Sequence, residues 1–114
     1  MIRSDYVPDR GDLVWLDFSP HAGHEQGGRR PAIVISPRLY NLKSGLGLFC
    51  PITSKAKGYP FEVSLPEGLG VQGVVLADHV KSTDWVERDA AFLCKVPDEV
   101  VQEAIARIGA LFDL

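Results

Sequence analysis

Four side chains that could carry out acid–base catalysis on a phosphodiester are spread along the sequence: Glu25, Arg30, Thr53 and Asp78. Cleaving RNA without a metal needs a base for the 2′-hydroxyl, a proton donor for the departing 5′-oxygen and a cation for the phosphorane. An arginine fork can hold two phosphate oxygens, and a threonine hydroxyl can donate to the same group. Because Arg30 opens one predicted strand and Thr53 closes another, this chemistry requires both strand ends to lie on one rim of the sheet.

A metal site is a competing interpretation, because His21, His24 and Glu25 stand close together in the string His-Ala-Gly-His-Glu. Imidazole and carboxylate groups are common metal ligands. Zinc hydrolases, however, place such ligands on one face of a helix, whereas this string lies between Pro20 and a pair of glycines. The sequence therefore favours a loop here, and no metal or other cofactor is expected.

Charge is distributed unevenly along the chain. The net charge is −3, but residues 1–57 carry +3 and residues 58–114 carry −6. No acidic residue occurs between Gln26 and Phe61, a stretch that contains six cations: Arg29, Arg30, Arg38, Lys43, Lys55 and Lys57. This stretch is either an anion-binding surface or a set of solvated loop cations.

The composition is that of one folded domain spanning residues 1–114. Hydrophobic residues make up 46% and charged residues 24% of the chain, which excludes a disordered tail. No apolar run is long enough to span a membrane and no signal peptide is recognised, so a cytoplasmic protein is expected. Cys50 and Cys94 lack paired spacing and are expected to be reduced thiols. Cys50 lies in an apolar strand, which favours a small core residue over a nucleophile.

The elements that must position these side chains are short strands. Six apolar runs separated by Gly and Pro clusters predict β-strands, at residues 13–18, 32–35, 46–52, 61–65, 71–77 and 90–96. After the last run, Pro97 precedes two carboxylates, and apolar residues then recur every three or four positions, which predicts a helix. The predicted fold is mainly β with a C-terminal helix: a small twisted sheet or partly closed barrel with Trp15 in its core.

The order and spacing of many motifs resemble the MazF/PemK family of toxin–antitoxin endoribonucleases along nearly the whole chain. The unusual string among them is Lys57-Gly58-Tyr59-Pro60-Phe61-Glu62-Val63. The other matching motifs are Tyr6-Val7-Pro8-Asp9, Gly11-Asp12-Leu13, Trp15, Asp17-Phe18, Glu25-Gln26, Arg30-Pro31-Ala32, Ser36-Pro37, Tyr40-Asn41, Leu76-Ala77-Asp78 and Val80-Lys81-Ser82. The resemblance implies a homodimer of small SH3-like barrels, each with a terminal helix.

The resemblance also implies an activity, namely metal-independent cleavage of single-stranded RNA at a short sequence, leaving a 2′,3′-cyclic phosphate and a 5′-hydroxyl. Arg30 matches the family's catalytic arginine, which implies that it stabilises the phosphorane and makes it a candidate for the acid as well. Thr53 matches the threonine that orients the scissile phosphate. Glu25 matches the loop carboxylate assigned as base in the closest branch, and Asp78 aligns with the base of the plasmid-toxin branch. Leu76 stands where that second branch has an arginine, which favours Glu25 as the base.

Single-stranded RNA is bound by cations that follow the backbone and flat groups that stack on bases. Candidates for these roles are Arg29, His24, Tyr40, Lys43, Lys55, Lys57 and His79. His79 departs from the family, which usually carries glutamine after the aspartate, and it is a candidate for binding or protonation. The family implies an acidic, MazE-like antitoxin as partner, and the acid-free stretch suits it.

Two other functions compete with RNA cleavage. Gyrase-poisoning toxins share this fold, but they depend on a C-terminal tail ending in a tryptophan-containing tripeptide, whereas this chain ends Leu111-Phe112-Asp113-Leu114. The third possibility is a relative that binds RNA without cutting it, which retained motifs do not exclude.

Overall fold

The computed structural model describes residues 6–19 and 22–113. Along the chain, the strands are β1 (Asp12–Asp17), β2 (Arg29–Val34), β3 (Leu46–Thr53), β4 (Glu62–Ser64), β5 (Val74–Leu76), β6 (Lys81–Asp84) and β7 (Ala91–Lys95). Helix α1 (Arg38–Ser44) joins β2 to β3, a short 3₁₀ helix (Ala77–His79) joins β5 to β6, and α2 (Asp98–Ala110) follows β7. The six predicted runs and the predicted terminal helix correspond to seven of these elements.

The strands form one antiparallel sheet in the order β4-β5-β3-β2-β1-β7, with β6 also paired to β3. The predicted class, mainly β with a C-terminal helix, is confirmed. Among the described residues the sheet is not closed, because β4 and β7 end the order and do not pair with each other. The predicted barrel is therefore an open sheet here.

One edge of β3 is shared by two strands, and this arrangement shapes the site. Residues 46–49 of β3 pair with β6, whereas Ile52 and Thr53 pair with β5. Pro51 lies between these two pairings and has no N–H to donate to a neighbouring strand. The 3₁₀ helix occupies this gap as the chain crosses from β5 to β6, which places Asp78 and His79 beside the middle of β3.

The two faces of the sheet bury different hydrophobic clusters, as strand alternation requires. Ile33, Cys50 and Ile52 belong to the cluster that α2 covers with Val100, Val101 and Ala104. Ala32, Val34 and Phe49 belong to the other, with Val14, Leu16 and Phe18. Helix α2 also contacts β4 and the 3₁₀ helix. The terminal helix therefore holds the crossing segment against the sheet.

Sequence patterns missed α1 and β6 because neither has the apolar face of a buried element. Only Asn41 of α1 is buried, while Leu39, Tyr40 and Leu42 are exposed. Strand β6 reads Lys-Ser-Thr-Asp and buries only Thr83. The prediction of a core Trp15 was wrong: its side chain is 39% exposed. Side chains alternate between the two faces of a strand, so Trp15 lies on the face opposite to its buried neighbours Val14 and Leu16. On that face, the hydrophobic core does not extend as far as Trp15.

Cys50 is fully buried, as predicted, and its thiol contacts the Ala77 carbonyl oxygen at 3.8 Å. Burial, with a smaller contribution from the Asp78 charge, raises the pKa of this thiol from 9.0 to about 12. The thiolate is therefore disfavoured in the folded protein, which argues against Cys50 as a nucleophile.

Cys50 should make the protein lose stability in alkali. Because the pKa of the Cys50 thiol is higher in the folded state, the contribution of this thiol to stability is complete below pH 9.0 and is lost as the pH rises towards 12. We expect the free energy of unfolding to fall by about 1.4 kcal/mol per pH unit in this window. Denaturant titrations from pH 8 to 10.5 measure the slope. Cys50→Ala should reduce it, and an unchanged slope in that variant contradicts the prediction.

Candidate functional site

The pairing of β2 with β3 brings Arg30 and Thr53 to the same end of the sheet. The register places Ala32 opposite Pro51. When this antiparallel register is continued by two residues along each strand, Arg30 lies opposite Thr53. Both side chains line a cavity of about 580 Å³, named here the Arg30 cavity. Its lining residues are His24, Gln26, Arg30, Thr53, Ser54, Lys55, Lys57, Tyr59, Glu62, Leu76, Asp78 and His79. The convergence required by the sequence argument is therefore present.

A second cavity of about 410 Å³, named here the Glu25 cavity, adjoins the first. Its lining residues are Phe18, His24, Glu25, Gln26, Pro51, Asp78, His79, Val80 and Lys81. Four of these residues also line the Arg30 cavity, and they form the wall that the two cavities share: His24, Gln26, Asp78 and His79. The two cavities form a continuous groove, apolar at Phe18 and Pro51 and cationic near Arg30.

The loop before β2 positions Glu25 and orients Arg30. The Phe18 N–H donates to the Gly28 carbonyl oxygen at 2.9 Å, which joins the end of this loop to the end of β1. The Arg30 Nε–H donates to the Gly27 carbonyl oxygen at 3.0 Å. This contact uses one donor and leaves the two terminal nitrogens of the guanidinium available to an anion. Glu25 is exposed, and its Oε1 accepts from the Ala22 N–H at 3.0 Å.

The segment after β3 carries two cations along the Arg30 cavity. The Glu62 carboxylate accepts from the N–H groups of Lys57 and Gly58 at 3.0 and 2.9 Å, which fixes the backbone of this segment. Lys57 Nζ lies 6.0 Å from the centre of the Tyr59 ring. Thr53 Oγ1 accepts from the Lys55 N–H at 3.2 Å, so its own proton remains available for donation. The cations and the Thr53 hydroxyl therefore border one space.

The crossing segment supplies Asp78 and His79 to the shared wall. The Ala77 N–H donates to the Phe61 carbonyl oxygen at 3.0 Å, which ties the start of the 3₁₀ helix to the residue before β4. Asp78 is exposed and His79 is half-buried. Asp78 is close enough to Cys50 for its charge to contribute to the raised pKa of that thiol.

The predicted site residues divide between the groove and other surfaces. Six residues besides Glu25 and Arg30 line the groove: His24, Thr53, Lys55, Lys57, Asp78 and His79. The structure places Arg29 elsewhere, since its Nη2 donates to the Asp89 carbonyl oxygen at 2.8 Å. Tyr40 and Lys43 lie on α1 and line neither cavity.

Sequence reasoning did not assign a role to five other polar residues of the groove, Gln26, Ser54, Tyr59, Glu62 and Lys81. All of these except Ser54 fall within the motifs of the family resemblance, which was the available signal for them. Ser54 had a weaker signal, since a polar side chain next to a strand is common.

The metal interpretation gains no support in the part of the chain that the structure describes. Within residues 6–19 and 22–113, no group of three or more His, Cys, Asp or Glu side chains could hold a metal ion. His21, the third member of the proposed ligand string, lies outside the described residues. Over the same residues, neither helix is long and apolar enough to cross a membrane.

Comparison with known proteins places this chain in a family. The model of the PemK-like, MazF-like toxins of type II toxin–antitoxin systems matches residues 9–112. The chain is 51% identical to the endoribonuclease toxin MazF of Escherichia coli K12 over 95% of its length and 96% of the relative. It is 31% identical to the endoribonuclease PemK of Escherichia coli over 97% of its length and 86% of the relative.

Solved structures agree with this assignment. MazF from Deinococcus radiodurans superposes with a TM-score of 0.93 and 59% identity, covering 96% of this chain and 100% of that one. A MazE–MazF complex from the same organism superposes with a TM-score of 0.85 and 53% identity, covering 96% of this chain and 99% of that one. The chain belongs to the PemK-like, MazF-like toxin family.

Proposed function

We propose that this protein is an endoribonuclease toxin that cleaves single-stranded RNA at a short sequence without a metal ion. The products are a 2′,3′-cyclic phosphate and a 5′-hydroxyl. The observation that carries the proposal is that the Arg30 guanidinium and the Thr53 hydroxyl line one cavity with Lys55 and Lys57. Such an arrangement suits a phosphodiester, because arginine binds two phosphate oxygens and the hydroxyl donates to the same group.

In the proposed reaction, the 2′-oxygen of the ribose attacks the neighbouring phosphorus. Glu25 takes the proton of the 2′-hydroxyl, while Arg30 and Thr53 hold the non-bridging oxygens and stabilise the charge that grows on the phosphorane. Glu25 lines the neighbouring cavity and makes one loop contact, so its carboxylate can reach a ribose bound across the shared wall. Asp78, which lines both cavities, is the competing base.

RNA is proposed to lie along the groove, with its phosphates near Lys55 and Lys57. His24 and Tyr59 offer flat surfaces for base stacking at its walls. Arg29, Tyr40 and Lys43 lie outside the two cavities, so any RNA contacts there involve nucleotides beyond the scissile one. Binding by several cations should weaken as salt concentration rises.

An acidic, MazE-like antitoxin is the proposed partner, and the active toxin is proposed to be a cytoplasmic homodimer. Support comes from the acid-free stretch between Gln26 and Phe61 and from the MazE–MazF complexes of the Deinococcus relative. An acidic segment would compete with RNA for the same cations and inhibit the enzyme.

Incubation of the purified protein with single-stranded RNA in the presence of a metal chelator tests the proposed activity. We expect discrete fragments, with cyclic phosphate ends identified by mass spectrometry. Gyrase inhibition with intact RNA would instead support the competing toxin class. Binding of RNA with no cleavage at any sequence would support a catalytically inactive relative.

Replacement of the two carboxylates should identify the base. We expect Glu25→Gln to lower kcat about 100-fold, because the amide cannot accept the 2′-proton. Asp78→Asn should lower it less than tenfold, since the change removes a nearby charge only. Single-turnover cleavage of one RNA by both variants measures this difference. The reverse ranking assigns the base to Asp78.

A further inference from the structure

The proposed reaction lacks a group that protonates the departing 5′-oxygen. Guanidinium stays protonated in proteins, so Arg30 stabilises charge and gives up no proton at neutral pH. Imidazolium is a stronger acid, and imidazole is the side chain whose ordinary titration falls between pH 5 and 8. Two histidines, His24 and His79, line the cavity that contains Arg30 and Thr53. Lys55, Lys57 and Tyr59 line the same cavity, but ammonium and phenol groups are ordinarily weaker acids than imidazolium. The two histidines are therefore the strongest candidates for the proton donor.

The surroundings of the two histidines distinguish them. His24 is exposed in the loop before β2, whereas His79 is half-buried at the end of the 3₁₀ helix. That helix contacts both α2 and β3, and its first N–H donates to the Phe61 carbonyl oxygen. A proton donor acts best from an element that is held in place before the substrate arrives. His79, half-buried in an element packed between α2 and β3, meets this requirement better than the exposed His24.

His79 also borders the space of both groups that the proposed reaction uses. It lines the cavity of the phosphate-binding pair, Arg30 and Thr53, and the cavity of the proposed base, Glu25. Across the residues that the structure describes, no hydrogen bond or ion pair engages its imidazole. The ring is therefore available to a substrate atom.

We propose that the His79 imidazolium donates the proton that the 5′-oxygen receives as the phosphodiester breaks, an inference that rests on the proposed function. The 2′-oxygen forms its bond to phosphorus and gives its proton to Glu25. The bond between phosphorus and the 5′-oxygen breaks, and the electron pair of that bond takes the proton of His79. Neutral His79 and protonated Glu25 then exchange protons with water to restore the starting state.

Charged and titratable side chains line the groove together with His79. They are His24 and Glu25 from the loop, Arg30 from β2, Lys55, Lys57 and Tyr59 from the segment after β3, Glu62 from β4, and Asp78 and Lys81 beside it in the chain. The test must therefore separate loss of a proton donor from a general change of charge.

A substrate with sulfur in place of the bridging 5′-oxygen makes this separation, because a thiolate leaves without protonation. We expect His79→Gln to cleave ordinary RNA about 100-fold more slowly than the unchanged protein does. On the sulfur substrate, the rates of the variant and of the unchanged protein should agree within about threefold. Glutamine keeps a hydrogen-bonding side chain that cannot donate a proton at neutral pH. Equal losses on both substrates overturn the proposal.

His24→Gln is the matched variant, since it removes the other imidazole of the same cavity. We expect its loss to be equal on the two substrates. If His24→Gln is slow on ordinary RNA but regains the rate of the unchanged protein on the sulfur substrate, the proposal is overturned and His24 is the donor. If the unchanged protein cleaves neither substrate, the proposed function itself fails, which is a different outcome from equal losses in an active enzyme.

The pH dependence of the unchanged protein gives a test that needs no variant to fold. A required acid must be protonated, so cleavage of ordinary RNA should fall about tenfold per pH unit on the alkaline side of its pH–rate profile. The sulfur substrate should show no such fall, although both should lose rate in acid as the base is protonated. The same alkaline fall with both substrates overturns the proposal.

Discussion

We expect replacement of Arg30 by alanine to lower kcat for RNA cleavage about 1000-fold, the range seen when a group that stabilises transition-state charge is removed. Arg30 is half-buried in the cavity that Thr53 also lines, and its Nε contact with Gly27 aims the guanidinium there. Little of this loss should appear in the KM, because the charge on the phosphorane exceeds that on the bound phosphodiester. Single-turnover cleavage at saturating enzyme measures the effect.

Two further variants separate the fork of Arg30 from its charge. Arg30→Lys keeps the charge but loses the bidentate geometry, so we expect it to recover only part of the rate. Arg38→Ala removes an arginine on α1 that lines neither cavity, and it should remain within about threefold of the unchanged protein. Comparable losses in Arg30→Ala and Arg38→Ala would show that net charge alone governs cleavage.

The strands were predictable because their signals are local. Apolar runs bounded by Gly and Pro predicted six strands, and the carboxylates after Pro97 predicted the start of α2. Helix α1 has no apolar face turned inward, and β6 is held by pairing with β3 although its residues are polar. Elements that depend on tertiary contacts in this way leave little periodic signal.

The site was predictable in its residue types but not in its assembly. Arg30 and Thr53 could be assigned to strand ends, but their meeting depends on the register of β2 and β3. The two strands are connected through α1, which the pattern missed. Asp78 and His79 reach the groove because one edge of β3 is divided between β5 and β6. No spacing in the sequence encodes that division.

Gly73 is the residue that keeps Thr53 in place, and Gly73→Ala should be strongly destabilising. Gly73 has φ of +129°, and a Cβ built there would lie 2.1 Å from the Thr53 carbonyl oxygen. An L-residue is strained at this φ, and the clash involves backbone that cannot rotate away. We expect a loss of about 3 kcal/mol in the free energy of unfolding, measured by denaturant titration.

Gly70→Ala isolates the clash from the backbone strain. Gly70 also has a positive φ, +76°, but a Cβ there meets nothing within 4 Å. Its substitution should therefore cost only about 1 kcal/mol, the ordinary penalty of a left-handed residue. Under conditions where both variants are folded, Gly73→Ala should also cleave RNA more slowly than Gly70→Ala. The reason is that the carbonyl which must move belongs to Thr53, and its hydroxyl moves with it. Equal stability and equal cleavage in the two variants would contradict the prediction, and would mean that the close approach of Gly73 to the Thr53 backbone does not position Thr53.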